Sequence, residues 1–373
     1  MAGTRLDSAA RMSKETDFMP RTSGFTPGLR TRLVGAVRQH RVLSIALALK
    51  LTTAVALGVV WQTKVRRSGD LDDYRDLLVD DPGAPDENSV KVTSLGTTMM
   101  LVDDGTTQIL IDAFITPAAL LDAALGRPVS TDRNAVDAAL DKVGADRVRA
   151  IFISHSHHDH ALDVAYIATR TGATVHGSPS TLNIARGGNV PEDRLALLDP
   201  ENPVEVGNFT VRTIVSKHSP NPMGGEGATI DEPLPQPAPI SAYKEGGTYD
   251  FLVATPETSI LFKGSANWIP GTLTGVHADA LFLGIGGLGR AGQRFSEGFL
   301  DATIGAVQPA IVIPTHWNDF FRPAREGLPL HRKLIDDTPA AFDTVLARAE
   351  ADGIIVHLLD AFGSITVREG LSG

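Results

Sequence analysis

The segment SHSHHDHALD, residues 154–163, constrains this chain more than any other stretch of it. Four of the chain's 11 histidines fall within six positions, directly after the apolar run AIFI. A strand that ends there and turns into a first helical turn aims His155, His157, Asp159 and His160 at one point, with His158 as a spacer. Imidazole and carboxylate donors in that arrangement suit Zn2+, Mn2+ or iron, as one ion or as two neighbouring ones. A solvated histidine-rich turn has no need of such density, so a metal site is the reading to carry forward. The chain has no cysteine, which excludes thiolate ligands, disulfides and cysteine nucleophiles.

From Val90 onward the pattern is that of a folded domain. VKVTSLG, TTMMLVDD and TQILIDAF are short strands between Gly and Asp turns, and PAALLDAAL and AVDAALDKV read as helices. FTVRTIVSKHS, YDFLVATPE, SILFKGS, ADALFLGIGG, AIVIPTHW, IIVHLL and GSITVRE add strands, and AFDTVLARAEADG adds a late helix closed by a C-cap glycine. Strands followed by mixed elements, twice over, predict two sheets sandwiched between helices.

HxHxDH after an apolar strand resembles the signature of the metallo-β-lactamase superfamily, and the resemblance runs from about residue 90 to the C-terminus. Within that superfamily the chain is similar to the branch of ascorbate-phosphate lactonases and N-acylphosphatidylethanolamine phospholipase D. The resemblance implies an α/β fold, an αββα sandwich of two mixed β-sheets. It implies that His155, His157 and His218 bind a first metal, and that Asp159, His160 and His316 bind a second. Asp112, closing TQILID, matches an early strand that ends in aspartate. One position departs from the pattern: SILFKGSAN places Ser265 where a bridging aspartate is usual, and a neutral hydroxyl cannot bridge two cations. Asp319, three residues past His316, is a candidate substitute. Asp112, Ser265 and Asp319 are therefore the supporting or bridging positions.

Upstream of this domain, residues 1–41 are polar and arginine-rich and read as a disordered basic tail. Residues 42–61, VLSIALALKLTTAVALGVVW, are about long enough to cross a bilayer as one transmembrane helix, with Trp61 as an interfacial anchor. Lys50 lies near the middle of that run, and a cleaved signal or a buried soluble helix are the alternatives. The arginines of the tail tip the orientation towards an inside N-terminus, with the catalytic domain extracytoplasmic. Residues 62–89 read as a solvated acidic linker, and residues 90–373 as the hydrolase domain.

The Pro- and Gly-rich stretch from Ser219 to Tyr249 is expected to be a long loop over the site, its Met223, Leu234, Ile240 and Tyr243 forming an apolar lid. Gly284, Gly286, Gly287 and Gly289 match GxGxxG, but no helix opens there as a dinucleotide site requires, so a turn beside the metal pocket is expected. His40, His176, His277, His331 and His357 have no ligand spacing and read as structural.

The expected function is a metal-dependent hydrolase, zinc being the first choice of metal, with a metal-activated water attacking a phosphodiester, a lactone or a related, lipid-like ester. Asp159 is the expected catalytic side chain. The expected partners are a small-molecule or lipid-like substrate and a membrane. Nucleic acid is not expected, because the net charge is −10 and duplex binding draws on a basic excess. The alternative is a non-catalytic, membrane-tethered metal-binding scaffold of the same fold.

Overall fold

The computed structural model describes residues 27–86, 88–220, 225–325 and 327–368. Two compact units divide the chain, residues 1–60 and 61–373. Of the expected tail, residues 1–26 lie outside the described residues, whereas residues 27–41 are not irregular: Pro27–Val60 is a single α-helix. Pro27 stands at its first position, where a missing N–H is harmless, and no further proline interrupts the run. The 26 residues Arg38–Thr63 are long and apolar enough to cross a membrane, and none of the apolar window is buried. Hydroxyls along the helix are satisfied internally: Ser44 donates to the carbonyl of His40 at 2.8 Å, and Thr53 to that of Leu49 at 2.8 Å.

The second unit contains two seven-stranded mixed sheets. In spatial order the first runs Ser364–Arg368, Ser89–Ser94, Met100–Asp103, Gln108–Ile111, Val148–Phe152, Thr174–Gly177 and Leu195–Leu197. The second runs Ile355–Val356, Ile311–Thr315, Ala280–Gly284, Ser259–Lys263, Thr248–Ala254, Phe209–Ser216 and Val204–Val206. In each sheet the pairings are antiparallel on one side and parallel on the other. Alternate side chains explain the layering, because successive strand residues point to opposite faces. Ile109, Ile111, Ala150 and Phe152 meet Phe209, Phe251, Phe262 and Phe282 in the core between the sheets. Leu110, Ile151 and Ile153 face outward and pack under helices that include Arg133–Lys142 and Val164–Thr171. On the other side Leu261, Leu281 and Leu283 lie under Gln293–Leu300 and Thr338–Asp352. The layers are α, β, β, α, and strands covered on both faces read as near-continuous apolar runs.

The acidic stretch 62–89 is not a solvated linker, and this corrects the expectation. Val79 N donates to the carbonyl of Leu358 at 3.0 Å, and Asp81 N to that of Ser364 at 2.8 Å. Leu71–Leu77 forms a 3-10 helix with Leu71 buried and the Tyr74 ring 4.7 Å from that of Phe342. Leu77 and Leu78 join the same core, so apolar residues three or four apart decide the placement while Asp72, Asp73 and Asp76 stay in water.

The stretch 219–249 is likewise no free lid. Met223 falls among residues 221–224, outside the described residues. The remainder is tied down: Asn183 Nδ2 donates to the carbonyl of Ile230 at 2.7 Å, and Leu234 N donates to the carbonyl of Asn183 at 2.9 Å. Ala238–Pro239 pairs with Pro128–Val129. Tyr243 is buried in the helix-side core and Leu234 packs against it, so these two side chains serve packing.

His176, read as structural, stacks on Phe152 with ring centroids 4.6 Å apart, and its buried Nδ1 has no partner among the described residues. Burial lowers its pKa from 6.5 to about 4. As pH falls through that window the unfolded chain takes up a proton that the folded chain resists, so stability drops by up to about 1.4 kcal/mol per pH unit. His176→Phe should remove this acid sensitivity. In urea unfolding the variant should gain about 1 kcal/mol or more relative to wild type near pH 5, and distinctly less near pH 8. An equal difference at both pH values contradicts the assignment.

Candidate metal centre

Five segments that leave strands converge at the site. They are Asp112 after Gln108–Ile111, Ser154–His160 after Val148–Phe152, His218 after Phe209–Ser216, Gly264–Asn267 after Ser259–Lys263, and His316 after Ile311–Thr315. His157 caps the short helix His158–Ala161, which turns Asp159 and His160 inward. The donor atoms of His155, His157 and His218 lie within 4.8 Å of one another, and so do those of Asp159, His160 and His316. The two groups adjoin, with the His155 and His160 rings 3.8 Å apart.

Hydrogen bonds assign the free nitrogens. His218 Nδ1 lies 2.7 Å from the Ser219 carbonyl, which only accepts, so Nδ1 carries the proton and Nε2 presents its lone pair. That Nε2 is 3.1 Å from His157 Nδ1. His160 Nδ1 donates to Asp112 Oδ2 at 2.8 Å, and its buried Nε2 has no protein partner among the described residues. His155 Nε2 is also buried without a protein partner among the described residues. His316 Nε2 approaches Asp159 Oδ2 at 3.2 Å. Burial pushes His155 well below its ordinary pKa, lowers His157 to about 3 and lowers His218, so these three are neutral near pH 7. Burial opposes the ionisation of Asp159, but His160, the His316 hydrogen bond and His158 outweigh it and hold the carboxylate well below its usual range.

Asp112 organises the middle of the site. Fully buried, it accepts from Thr98 Oγ1 at 2.6 Å, from Ser154 N at 2.7 Å, from Ser154 Oγ at 3.0 Å and from His160 Nδ1. Its backbone is left-handed at φ 58°, as is that of His316 at φ 58°. Non-glycine residues reach that region at a cost of about 1–3 kcal/mol when the surroundings over-determine them. At His316 the surroundings are explicit. Its N–H donates to the Thr97 carbonyl at 2.8 Å, its carbonyl accepts from His331 Nε2 at 3.0 Å, and Asn318 Oδ1 accepts from Thr97 N at 2.8 Å. The GxGxxG segment is the expected turn beside the site: a Cβ on Gly286 would sit 2.7 Å from His316 Nδ1.

Ser265 lies in neither donor group. Its hydroxyl accepts from Ser219 N at 2.8 Å, while Asn267 Nδ2 donates to the His218 carbonyl at 2.7 Å, so the two residues grip the backbone on either side of the His218 peptide. Asp319 does not take the bridging place, which corrects that expectation. Its Oδ2 accepts from Arg332 Nε at 2.9 Å and its Oδ1 from Phe321 N at 3.2 Å, so the carboxylate is engaged elsewhere.

Sequence reasoning missed three supports. Asp163 accepts from Ile115 N, Thr116 N and Thr116 Oγ1 at 2.7–2.8 Å, pinning the chain just past Asp112; its only signal was a carboxylate inside an apolar turn. Lys263, buried, donates to Asp250 Oδ2 and Ser216 Oγ, both at 2.9 Å, and so locks together the strands that deliver His218 and Ser265. Its signal was a lysine between apolar residues and GSAN. His331 supports His316 through a carbonyl, which no spacing could announce.

A two-sheet sandwich with paired His and Asp clusters at its strand ends defines a class, and residues 92–251 match the model of the metallo-beta-lactamase superfamily. That match gives the chain a domain of the metallo-beta-lactamase superfamily. It is 29% identical over 233 residues to a UPF0173 metal-dependent hydrolase of Carboxydothermus hydrogenoformans, covering 61% of this chain and 85% of that protein. A protein of the same description from Roseiflexus castenholzii is 30% identical over 115 residues, 31% of this chain and 41% of that protein. Among solved structures, Igni18, a metallo hydrolase from Ignicoccus hospitalis, is similar at 15% identity with a TM-score of 0.49, covering 75% of this chain and 99% of that one.

Divalent metals are the ligands of this fold, and the residues present fit them. Neutral buried imidazoles with bare nitrogens, beside one ionised carboxylate, are a donor set lacking only a cation, and a carboxylate behind a ligating histidine fixes its tautomer and raises its basicity. Asp112→Asn should therefore weaken metal retention about 10–100-fold in chelator competition. Retention equal to wild type contradicts the role assigned to Asp112.

Proposed function

We propose that this chain hydrolyses a phosphodiester, a lactone or a related ester at the paired cluster. His155, His157 and His218 would hold one divalent cation and Asp159, His160 and His316 a second, with zinc the metal best matched to nitrogen-rich donors. The single observation that carries this reading is the pair of adjoining donor groups. When bound, such cations lower the pKa of water and polarise a phosphoryl or carbonyl oxygen.

The chain's own residues supply orientation. Asp159, kept ionised, is a weak base, so its role is to accept a hydrogen bond from the attacking water and aim it. Its Oδ2 is held by His316 at 3.2 Å. Phe320 stands edge-on to His316 at 5.6 Å and to His158 at 6.0 Å, and Phe321 lies 6.3 Å from His158. This aromatic face offers the apolar part of a substrate a surface and excludes water from one side of the site. It replaces the apolar lid as support for a lipid-like ester.

Membrane tethering through Arg38–Thr63, with the hydrolase unit on the extracytoplasmic side, completes the proposal; the uncovered apolar window and the preceding arginines support it. The test is turnover of bis(4-nitrophenyl) phosphate and of a long-chain lactone by the zinc- or manganese-loaded full chain. Hydrolysis of at least one, reduced about 10²-fold or more in kcat/KM by Asp159→Asn, is expected. A fully loaded protein inactive on both classes overturns the ester reading.

A further inference from the structure

A cavity of about 650 Å3 shares no residue with the two donor groups. Its lining carries Arg66, Arg67, Arg322, Arg332 and Lys333 against Asp70, Asp73 and Asp319, on a chain whose net charge is −10. Among the described residues, Arg332 is the one cation of this lining with a carboxylate partner, Asp319. Arg66, Arg67, Arg322 and Lys333 form no side-chain ion pair among the described residues, and all four are exposed.

The backbone forces this crowding. Arg67 and Arg332 face each other in an antiparallel bridge, Lys333 N donates to the Arg66 carbonyl at 3.0 Å, and Ser68 N donates to the His331 carbonyl at 2.9 Å. Like charges opposite one another are unfavourable, and Asp319 relieves only one of them. The volume lies in the range of small-ligand sites. Guanidinium forks match phosphate oxygens two at a time. Trp61, within the apolar run Arg38–Thr63, also lines the cavity, and tryptophan favours the headgroup level of a bilayer.

We propose that this cavity binds a phosphate-bearing anion, the headgroup of an anionic phospholipid, with Arg66, Arg67, Arg322 and Lys333 as its donors. The headgroup as source rests on the membrane tether proposed above; the anion site itself does not. Because Arg332 follows His331, whose Nε2 holds the His316 carbonyl, the occupied cavity would brace the loop that carries a metal ligand.

The test is calorimetric titration of the full chain in a neutral detergent with short-chain phosphatidylglycerol, short-chain phosphatidylcholine and inorganic phosphate. Phosphatidylglycerol should bind at least ten times more tightly than phosphatidylcholine, and more weakly as salt rises. Arg66→Gln with Arg322→Gln should lose at least tenfold, Arg66→Lys with Arg322→Lys should retain most of the affinity, and His157→Ala should bind as wild type does. Thermal unfolding of each variant reports whether it is folded. Phosphate binding with this variant pattern, when neither lipid binds, supports the anion site and assigns a free phosphate as its source. Equal binding of both lipids, binding unchanged in the glutamine variant, or binding lost in His157→Ala overturns the proposal.

Discussion

A carboxylate taken out of water must have its oxygens satisfied, and at Asp112 the donors come from two other segments at the strand ends of the first sheet: Thr98, and the turn that carries Ser154 and His160. A buried charge left unmatched costs several kcal/mol, so the strand ends cannot drift apart without exposing or orphaning it. The same bonds set the His160 tautomer and bring Ser154 alongside, which fixes the direction of the turn through His155 and His157. Gly264 makes the approach of the second sheet possible, since a Cβ there would lie 2.6 Å from Ser154 Oγ. The donor groups thus rest on a buried hydrogen-bond cluster centred on Asp112.

Two further devices complete the frame. Lys263 and Asp250, an ion pair buried beneath the end of their strands, tie the centre of the second sheet. The peptide grip of Ser265 and Asn267 then orients His218. A serine at the position where a carboxylate is usual is accordingly a structural residue in this chain, with a donor already bound to it. The left-handed backbone at Asp112 and His316 is stored strain of the kind that collects at functional sites, held by the surrounding hydrogen bonds.

The local half of the site was legible because it is written in consecutive residues. HSHHDH after AIFI needs only a strand and a turn to become a ligand group. His218 and His316 came from resemblance, and their convergence with the cluster is a property of two sheets packing together. Supports such as His331, Asp163 and the Lys263–Asp250 pair join residues far apart in sequence, through carbonyls and buried charges that leave no period to read. Two of the misreadings share a cause. Acidic density at 70–81 and proline density at 219–249 dominate composition, yet a few spaced apolar side chains, Leu71, Tyr74 and Leu77 in one case and Leu234 and Tyr243 in the other, decide where those segments lie. The basic cavity was hidden in the same way, its cations contributed by residues 66–67 and 322–333.

Two separate donor groups coexist here without a carboxylate at residue 265. Elemental analysis of the full chain after exhaustive dialysis against metal-free buffer tests this most directly, with His218→Ala and His316→Ala alongside. About two equivalents of divalent metal per chain are expected in the wild type, and about one in each variant. A single equivalent in the wild type, or the loss of all metal in both variants, would contradict it.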